Sequence, residues 1–213
     1  MGCFIFWKKI IELSYYWLYT IYMFEDGEHK TDEELVTLTL ENQNYFVYII
    51  QRYEGKLLSY IRRISNLGEE AEDVLQEVFI KVYQNLNGFD PKLKFSSWIY
   101  RIAHNQVISN YRKIKARPQG SVLDLEEGGL ENIADEFDLI GQIEQASLRE
   151  NIFKILDKMD QKYKEILVLK FLEEKDYKEI SDILKKPMGT VASMISRAKK
   201  QFQEELEKAN IKL

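Results

Sequence analysis

The chain has 213 residues, 45% hydrophobic and 31% charged, with a formal net charge of −5. That is enough for one large or two small domains with real cores, and three prolines and ten glycines argue against disorder or a loop-rich β fold. A single cysteine, Cys3, excludes an internal disulfide and a cysteine-rich zinc site. The two histidines, His29 and His104, lie far apart, so neither a metal nor a cofactor is expected.

The first thirty residues read as an apolar leader. Phe4 to Phe24 is rich in Ile, Trp, Tyr, Leu and Phe, but Lys8, Lys9 and Glu12 interrupt it, and the run Leu13–Phe24 is too short for a membrane span. No small-residue cleavage site follows it. Gly2 stands where a myristoylation signal would begin, but Phe6 replaces the required Ser or Thr. The leader is therefore read as an upstream extension, with Met23 as an alternative start, in preference to a membrane anchor. A cytoplasmic, nucleoid-associated protein is expected.

Helical signals then follow one another. Thr31 with Glu34 three residues later is a capping box, starting a helix through Leu35, Val36, Leu38 and Leu40. Apolar residues at 46, 49, 50, 53, 57, 60, 61 and 64 trace a second helical stripe, ended by Asn66-Leu67-Gly68. Glu69–Asn85 is a third helix with Ala71, Val74, Val78, Val82 and Leu86 on one side. After the loop Asn87–Pro91, Ser96 or Ser97 is expected to cap a fourth helix over Trp98–Lys115. Residues 118–138 hold glycine, proline and acids without a period and read as a flexible acidic linker. Helices are then expected over Ile143–Met159 and Tyr163–Leu172, and no run alternates as a strand would. The fold class is all-α: two small helical domains, 31–117 and 139–213, around that linker.

The C-terminal domain carries the clearest motif. Tyr177–Leu184, a short break at Lys185–Met188 and a helix from Gly189 make a helix-turn-helix, whose second helix can enter a DNA major groove. Val191, Ile195, Ala198 and Phe202 form its buried face, leaving Thr190, Ala192, Ser193, Ser196, Arg197, Lys199 and Lys200 for solvent or DNA. The local charge agrees. Residues 101–117 and 185–202 each carry five bases and no acid, whereas residues 118–150 carry nine acids against Arg149. Phosphate affinity follows the local charge.

Two further segments carry chemistry. Asp73, Gln76 and Glu77 stand at i, i+3 and i+4, one acidic patch suited to solvent or to a partner with matching arginines. From Phe95 to Lys113, Arg101, Asn105, Ser109 and Arg112 share a stripe beside aromatic residues. Rings that stack on bases and cations that hold phosphates suit single-stranded DNA. Phe95 and Trp98 suit a core equally well.

The order of these segments is distinctive. Asp73-Val-Leu-Gln-Glu-Val-Phe, then Phe95-Ser-Ser-Trp-Ile-Tyr-Arg-Ile-Ala-His-Asn, then Gly189-Thr-Val-Ala-Ser-Met-Ile-Ser-Arg-Ala-Lys resembles a bacterial RNA polymerase sigma factor. The resemblance is to the two-domain extracytoplasmic-function (ECF) group of the sigma-70 family and spans Asn44–Phe202. It implies that Asp73, Gln76, Glu77 and Phe79 dock on the clamp helices of the polymerase β′ subunit, with further contacts to the β subunit. It implies that Phe89, Phe95, Trp98, Tyr100, Arg101, His104, Asn105, Ser109, Arg112 and Lys113 open and read the −10 element. The loop Leu86–Lys94 would help hold a flipped base. Lys186, Thr190, Ala192, Ser193, Ser196, Arg197 and Lys200 would read the −35 element as duplex. The implied partners are core RNA polymerase, promoter DNA and an anti-sigma protein, with no small-molecule substrate and no catalytic residue.

The chain departs from the family pattern in places. Lys185 stands where glycine is usual, Ala192 and Met194 where bases are usual, and Ser109 where Asp is frequent. Fewer charges on the recognition helix predict weaker phosphate contacts. A stand-alone helix-turn-helix regulator is the alternative reading, but it leaves the first two motifs unexplained. A metal nuclease built on Glu69, Glu72 and Asp73 would need those carboxylates to converge in a pocket, and they lie on one helix face.

Overall fold

The computed structural model describes residues 27–115 and 150–209, apart from 28, 66 and 69. The expected leader, apart from residues 27, 29 and 30, and the acidic linker lie outside the described residues. Among those described, helices carry the fold and no strand occurs.

Four helices form the first unit. Helix α1, Asp32–Glu41, starts at the expected capping box: the Glu34 N–H donates to Thr31 Oγ1 at 3.2 Å and Glu34 accepts from the Thr31 N–H at 2.7 Å. Helix α2, Phe46–Ser65, follows a 3₁₀ turn at Gln43–Tyr45, and α3 is Glu70–Asn85. Glu69, expected at the head of α3, lies outside the described residues. Helix α4 is Phe95–Lys115. The spacing translates directly into packing: Ile49, Leu57, Tyr60, Ile61 and Ile64 of α2 meet Ala71, Val74, Val78 and Val82 of α3 and Phe95, Ile99, Ala103 and Val107 of α4, all buried. A buried aliphatic or aromatic side chain is worth roughly 1.5–3 kcal/mol relative to exposure, so this seam dominates the stability of the unit.

The start of α4 differs from expectation. The helix opens at Phe95, and Ser97 and Trp98 donate their N–H groups to the Lys94 carbonyl, so neither serine is the cap. The Phe95 N–H is instead met by Glu33 Oε1 of α1 at 3.3 Å. Ser96 Oγ turns to Glu179, and the buried Ser97 Oγ has no partner.

The second unit begins with helix α5, residues 150–158, the described part of the expected Ile143–Met159 helix. Helix α6, Gln161–Leu167, runs into a π turn at Val168–Leu172 where a continuous α-helix was expected. Helix α7, Tyr177–Leu184, has a second capping box, Asp176 with Glu179, and α8 spans Met188–Lys208. Lys185, at φ 54° and ψ 44°, is left-handed, which turns the chain sharply enough for α8 to cross α7. Glycine reaches this conformation without the Cβ clash that Lys185 accepts. Val191, Ile195 and Ala198 are buried and Phe202 packs against them, the face that the spacing predicts.

The two units share one continuous apolar core, with α7 lying on α4. Polar contacts surround the seam. Glu173 accepts from Arg63 at 2.7 Å and from the Tyr100 hydroxyl at 2.6 Å. Lys94 lies 3.5 Å from Asp176 and 3.6 Å from Glu179, and Ser96 donates to Glu179. Gln161 donates to the Ile64 carbonyl at 2.7 Å.

Candidate polymerase and nucleic-acid interfaces

Helix α3 presents two chemistries on its outer side. Asp73, Gln76 and Glu77 are exposed, and Glu70, Glu72 and Asp73 fill the first turn, where the helix dipole favours anions. One turn on, the same stripe becomes apolar: Ile80 is 56% exposed and Tyr83 is 45% exposed. Phe79 is half-buried, its ring edge-on to Phe46, which also meets Tyr83. An acidic patch continuous with exposed aromatic and aliphatic surface is unusual for a solvated face and suits a protein partner. Ile80 and Tyr83 escaped sequence reasoning. Their signal was an apolar residue out of phase with the buried stripe Val74, Val78, Val82.

Helix α4 divides the expected −10 residues between two sides. Arg101, Asn105, Ser109 and Arg112 fall along one side; Asn105, Ser109 and Arg112 are exposed and Arg101 is half-exposed. Lys113 is in the last turn, and its side chain lies outside the described residues. A cavity of about 470 Å³ opens beside this stripe, between α3 and α4. Trp98 and Ile102 supply its apolar wall, Asn105, Gln106 and Ser109 line the α4 side, and Lys81, Gln84, Asn85 and Gly88 close it from α3 and the following turn. The opening therefore combines an apolar wall with several amides and one cation. Lys81, Gln84 and Asn85, at i, i+3 and i+4 on α3, were not found from the sequence.

The other aromatic candidates are not on the surface. Phe89, Phe95, Trp98, Tyr100 and His104 are all buried. Phe95 stacks edge-on with Tyr53 and Phe89, and Trp98 packs beside both Phe89 and Phe95. This cluster builds the floor that carries the cavity. Of these five residues only Trp98 reaches the cavity wall, and of the Leu86–Lys94 loop only Gly88 does. Tyr100 and His104 face the second unit. Lys175 sits over the Tyr100 ring at 4.2 Å, and burial and the adjacent Glu173 raise the Tyr100 phenol well above its ordinary pKa. His104 Nδ1 is 3.1 Å from the Tyr60 hydroxyl and Nε2 is 3.9 Å from Glu165. Burial, with the nearby Lys186 charge, pushes His104 down to about 4, so it is neutral at pH 7. Burial likewise raises the Glu165 carboxyl.

The helix-turn-helix leaves its expected reading side open. Lys186, Thr190, Ala192, Ser193, Ser196, Arg197 and Lys200 are exposed on the turn and on α8. Ser193 Oγ donates to the Thr190 carbonyl at 2.9 Å, and Lys199 lies 5.2 Å from the centre of the exposed Phe171 ring. The first turn of α8 has no acid and its N-cap, Pro187, offers no side-chain acceptor, which leaves N–H groups free for a phosphate.

The sigma-70 region 2 family model matches residues 49–117 and the sigma-70 region 4 model matches residues 149–202. The chain is 33% identical over 172 residues to the ECF RNA polymerase sigma factor SigW of Bacillus subtilis, covering 78% of this chain and 90% of that protein. The chain belongs to the ECF sigma factors. It is also 31% identical over 190 residues to the ECF sigma-E factor of Escherichia coli K12, covering 85% of this chain and 97% of the relative. Among solved structures, CnrH in complex with the cytosolic domain of CnrY shares the fold at a TM-score of 0.61 and 22% identity, over 84% of this chain and 99% of that one. RpoE of Bartonella quintana, in complex with the anti-sigma factor NepR, shares it at 0.59 and 22%, over 76% and 96%. As an ECF sigma factor the protein binds core RNA polymerase and directs promoter recognition and transcription initiation. Among the described residues no helix is long and apolar enough to cross a membrane.

Proposed function

We propose that this sigma factor reads one nucleotide of the melted −10 strand in the α3–α4 cavity. The observation that carries this reading is the position of the cavity, opening beside the Arg101–Asn105–Ser109–Arg112 stripe. Trp98 and Ile102 would cover the apolar faces of the base, the Asn105 and Asn85 amides would meet its polar edge, and Arg101, Arg112 and Lys113 would follow the phosphates. Unstacking a base costs a few kcal/mol, and base–aromatic stacking is worth about 1–3 kcal/mol, so a preformed pocket offsets much of the cost of melting. The buried Phe89, Phe95, Tyr100 and His104 would act as scaffold.

The remaining assignments complete the reading. Asp73, Gln76, Glu77 and Phe79, extended by Ile80 and Tyr83, would dock on the basic clamp helices of β′. Exposed Thr190, Ser193, Ser196, Arg197 and Lys200, with Lys186, would meet the −35 duplex. We assign residues 31–117 to the first domain, 118–138 to the linker and 139–213 to the second, in line with the two family matches. The protein would work in the cytoplasm by binding alone, without catalysis. An anti-sigma protein is a further partner suggested by the complexes that share this fold. The test is Asn105→Ala in reconstituted holoenzyme. Binding of a single-stranded −10 oligonucleotide should weaken about 3- to 10-fold, the loss of one paired amide at the cavity mouth, while binding of a −35 duplex stays unchanged. Equal affinity for the oligonucleotide would refute the assignment.

A further inference from the structure

One buried side chain touches both the polymerase-docking face and the strand-reading cavity. Gln106 is 3% exposed on α4. Its carbonyl Oε1 accepts a hydrogen bond from the Lys81 ammonium, and its Nε2 donates to the Glu77 carboxylate. Glu77 is exposed on the acidic stripe of α3, and Lys81, one turn later, is exposed on the cavity wall. The amide has a direction: one end only accepts and the other only donates. With the carboxylate fixed at its donor end, its acceptor end must face Lys81. Reversal would set an NH₂ group against an ammonium and a carbonyl against a carboxylate.

We propose that Gln106 is a positioning residue that holds the Lys81 ammonium at the cavity mouth as a phosphate contact for the melted strand, and that Glu77 sets the orientation of Gln106 from the docking face. The proposal rests on the reading that the cavity takes a nucleotide. Lys81 is a long side chain with high rotamer freedom, and an acceptor buried on the facing helix restrains it without neutralising it. Gln106 supplies such an acceptor, where a carboxylate at position 106 would cancel the charge that the phosphate needs. Glu77 retains lone pairs beyond the one that Gln106 uses, so a basic polymerase residue can bind it without displacing the amide. Docking then fixes Glu77 further and strengthens the orientation of Gln106, which joins the two surfaces through a single hydrogen-bonded chain.

The test uses holoenzyme reconstituted from the full chain and core polymerase, with a fluorescent single-stranded −10 oligonucleotide titrated at several salt concentrations. A lysine on a single-strand phosphate contributes about 0.7 to the slope of log affinity against log salt. Lys81→Ala and Gln106→Leu should each weaken binding about three- to ten-fold and each lower the slope by about 0.7, and the double variant should lose no more than either alone. Additive losses, or a Gln106→Leu variant with unchanged slope, would overturn the proposal, because a merely structural glutamine would not move a counterion term. Should Gln106→Leu fail to fold, Gln106→Glu decides the matter. It still accepts from Lys81 but repels Glu77, so core affinity should fall. Retained core affinity would count against the chain of contacts. Failure of the cavity reading itself shows separately, as an Asn105→Ala variant that binds the oligonucleotide normally.

Discussion

Glu173→Ala tests the seam between the two domains. Glu173, in the loop between the π turn and α7, has a side chain only 6% exposed and accepts from both Arg63 and Tyr100. Removing it leaves the Tyr100 hydroxyl unpaired and leaves a guanidinium that is 21% exposed without its carboxylate, with only the long 3.5 Å contact to the Leu172 carbonyl remaining and an Nε that has no partner. Breaking a buried pair costs about 3–5 kcal/mol, and partial hydration of Arg63 argues for the lower end, about 3 kcal/mol. At 1.4 kcal/mol per decade this weakens the packing of the two units on each other about 150-fold. Small-angle scattering should show a larger radius of gyration for Glu173→Ala than for the wild type, with Glu173→Gln in between because its amide still accepts from Tyr100. Identical scattering together with an identical urea midpoint would refute the reasoning.

Lys185→Gly should raise stability by about 0.5–1 kcal/mol, because a non-glycine residue at positive φ costs about 1–2 kcal/mol and the entropy of glycine returns part of the gain. An unchanged or lower urea midpoint would contradict this. Acidification should weaken the fold between about pH 6.5 and 4. His104 titrates lower in the folded state than in the unfolded one, so its contribution is fully present above about pH 6.5 and is lost as pH falls toward 4. Glu165, raised by burial, acts in the opposite sense, so the net loss falls below the roughly 3 kcal/mol that His104 alone would give, and His104→Gln should flatten the fall in thermal stability over that window. Asp73→Arg with Glu77→Arg should abolish core polymerase binding by reversing the charge of the proposed docking face, but Glu77→Arg also unpairs the buried Gln106 amide and should lower the thermal transition, so Asp73→Arg alone, at an exposed position, should weaken core binding with the transition unchanged.

Sequence pattern alone decided the helices and their inner faces. A 3.6-residue period places Val191, Ile195 and Ala198 on one side whatever the surroundings, and Thr31 with Glu34 caps a helix using only groups three residues apart. The family was legible for the same reason: its motifs are runs of adjacent residues. Tertiary structure decided which residues of α4 remain available. Tyr100 and Arg101 are neighbours in the chain, yet one is sealed beneath the Glu173 loop and the other stays half-exposed on the stripe with Asn105, Ser109 and Arg112, because burial depends on an element more than seventy residues away. The same distance rule explains the helix start at Phe95, capped from Glu33, the cavity, whose walls come from two helices, and Gln106, which meets Glu77 and Lys81 from the facing helix. Periodicity reports which side of a helix is apolar. What covers that side, and which polar groups meet across the gap, is set by long-range packing.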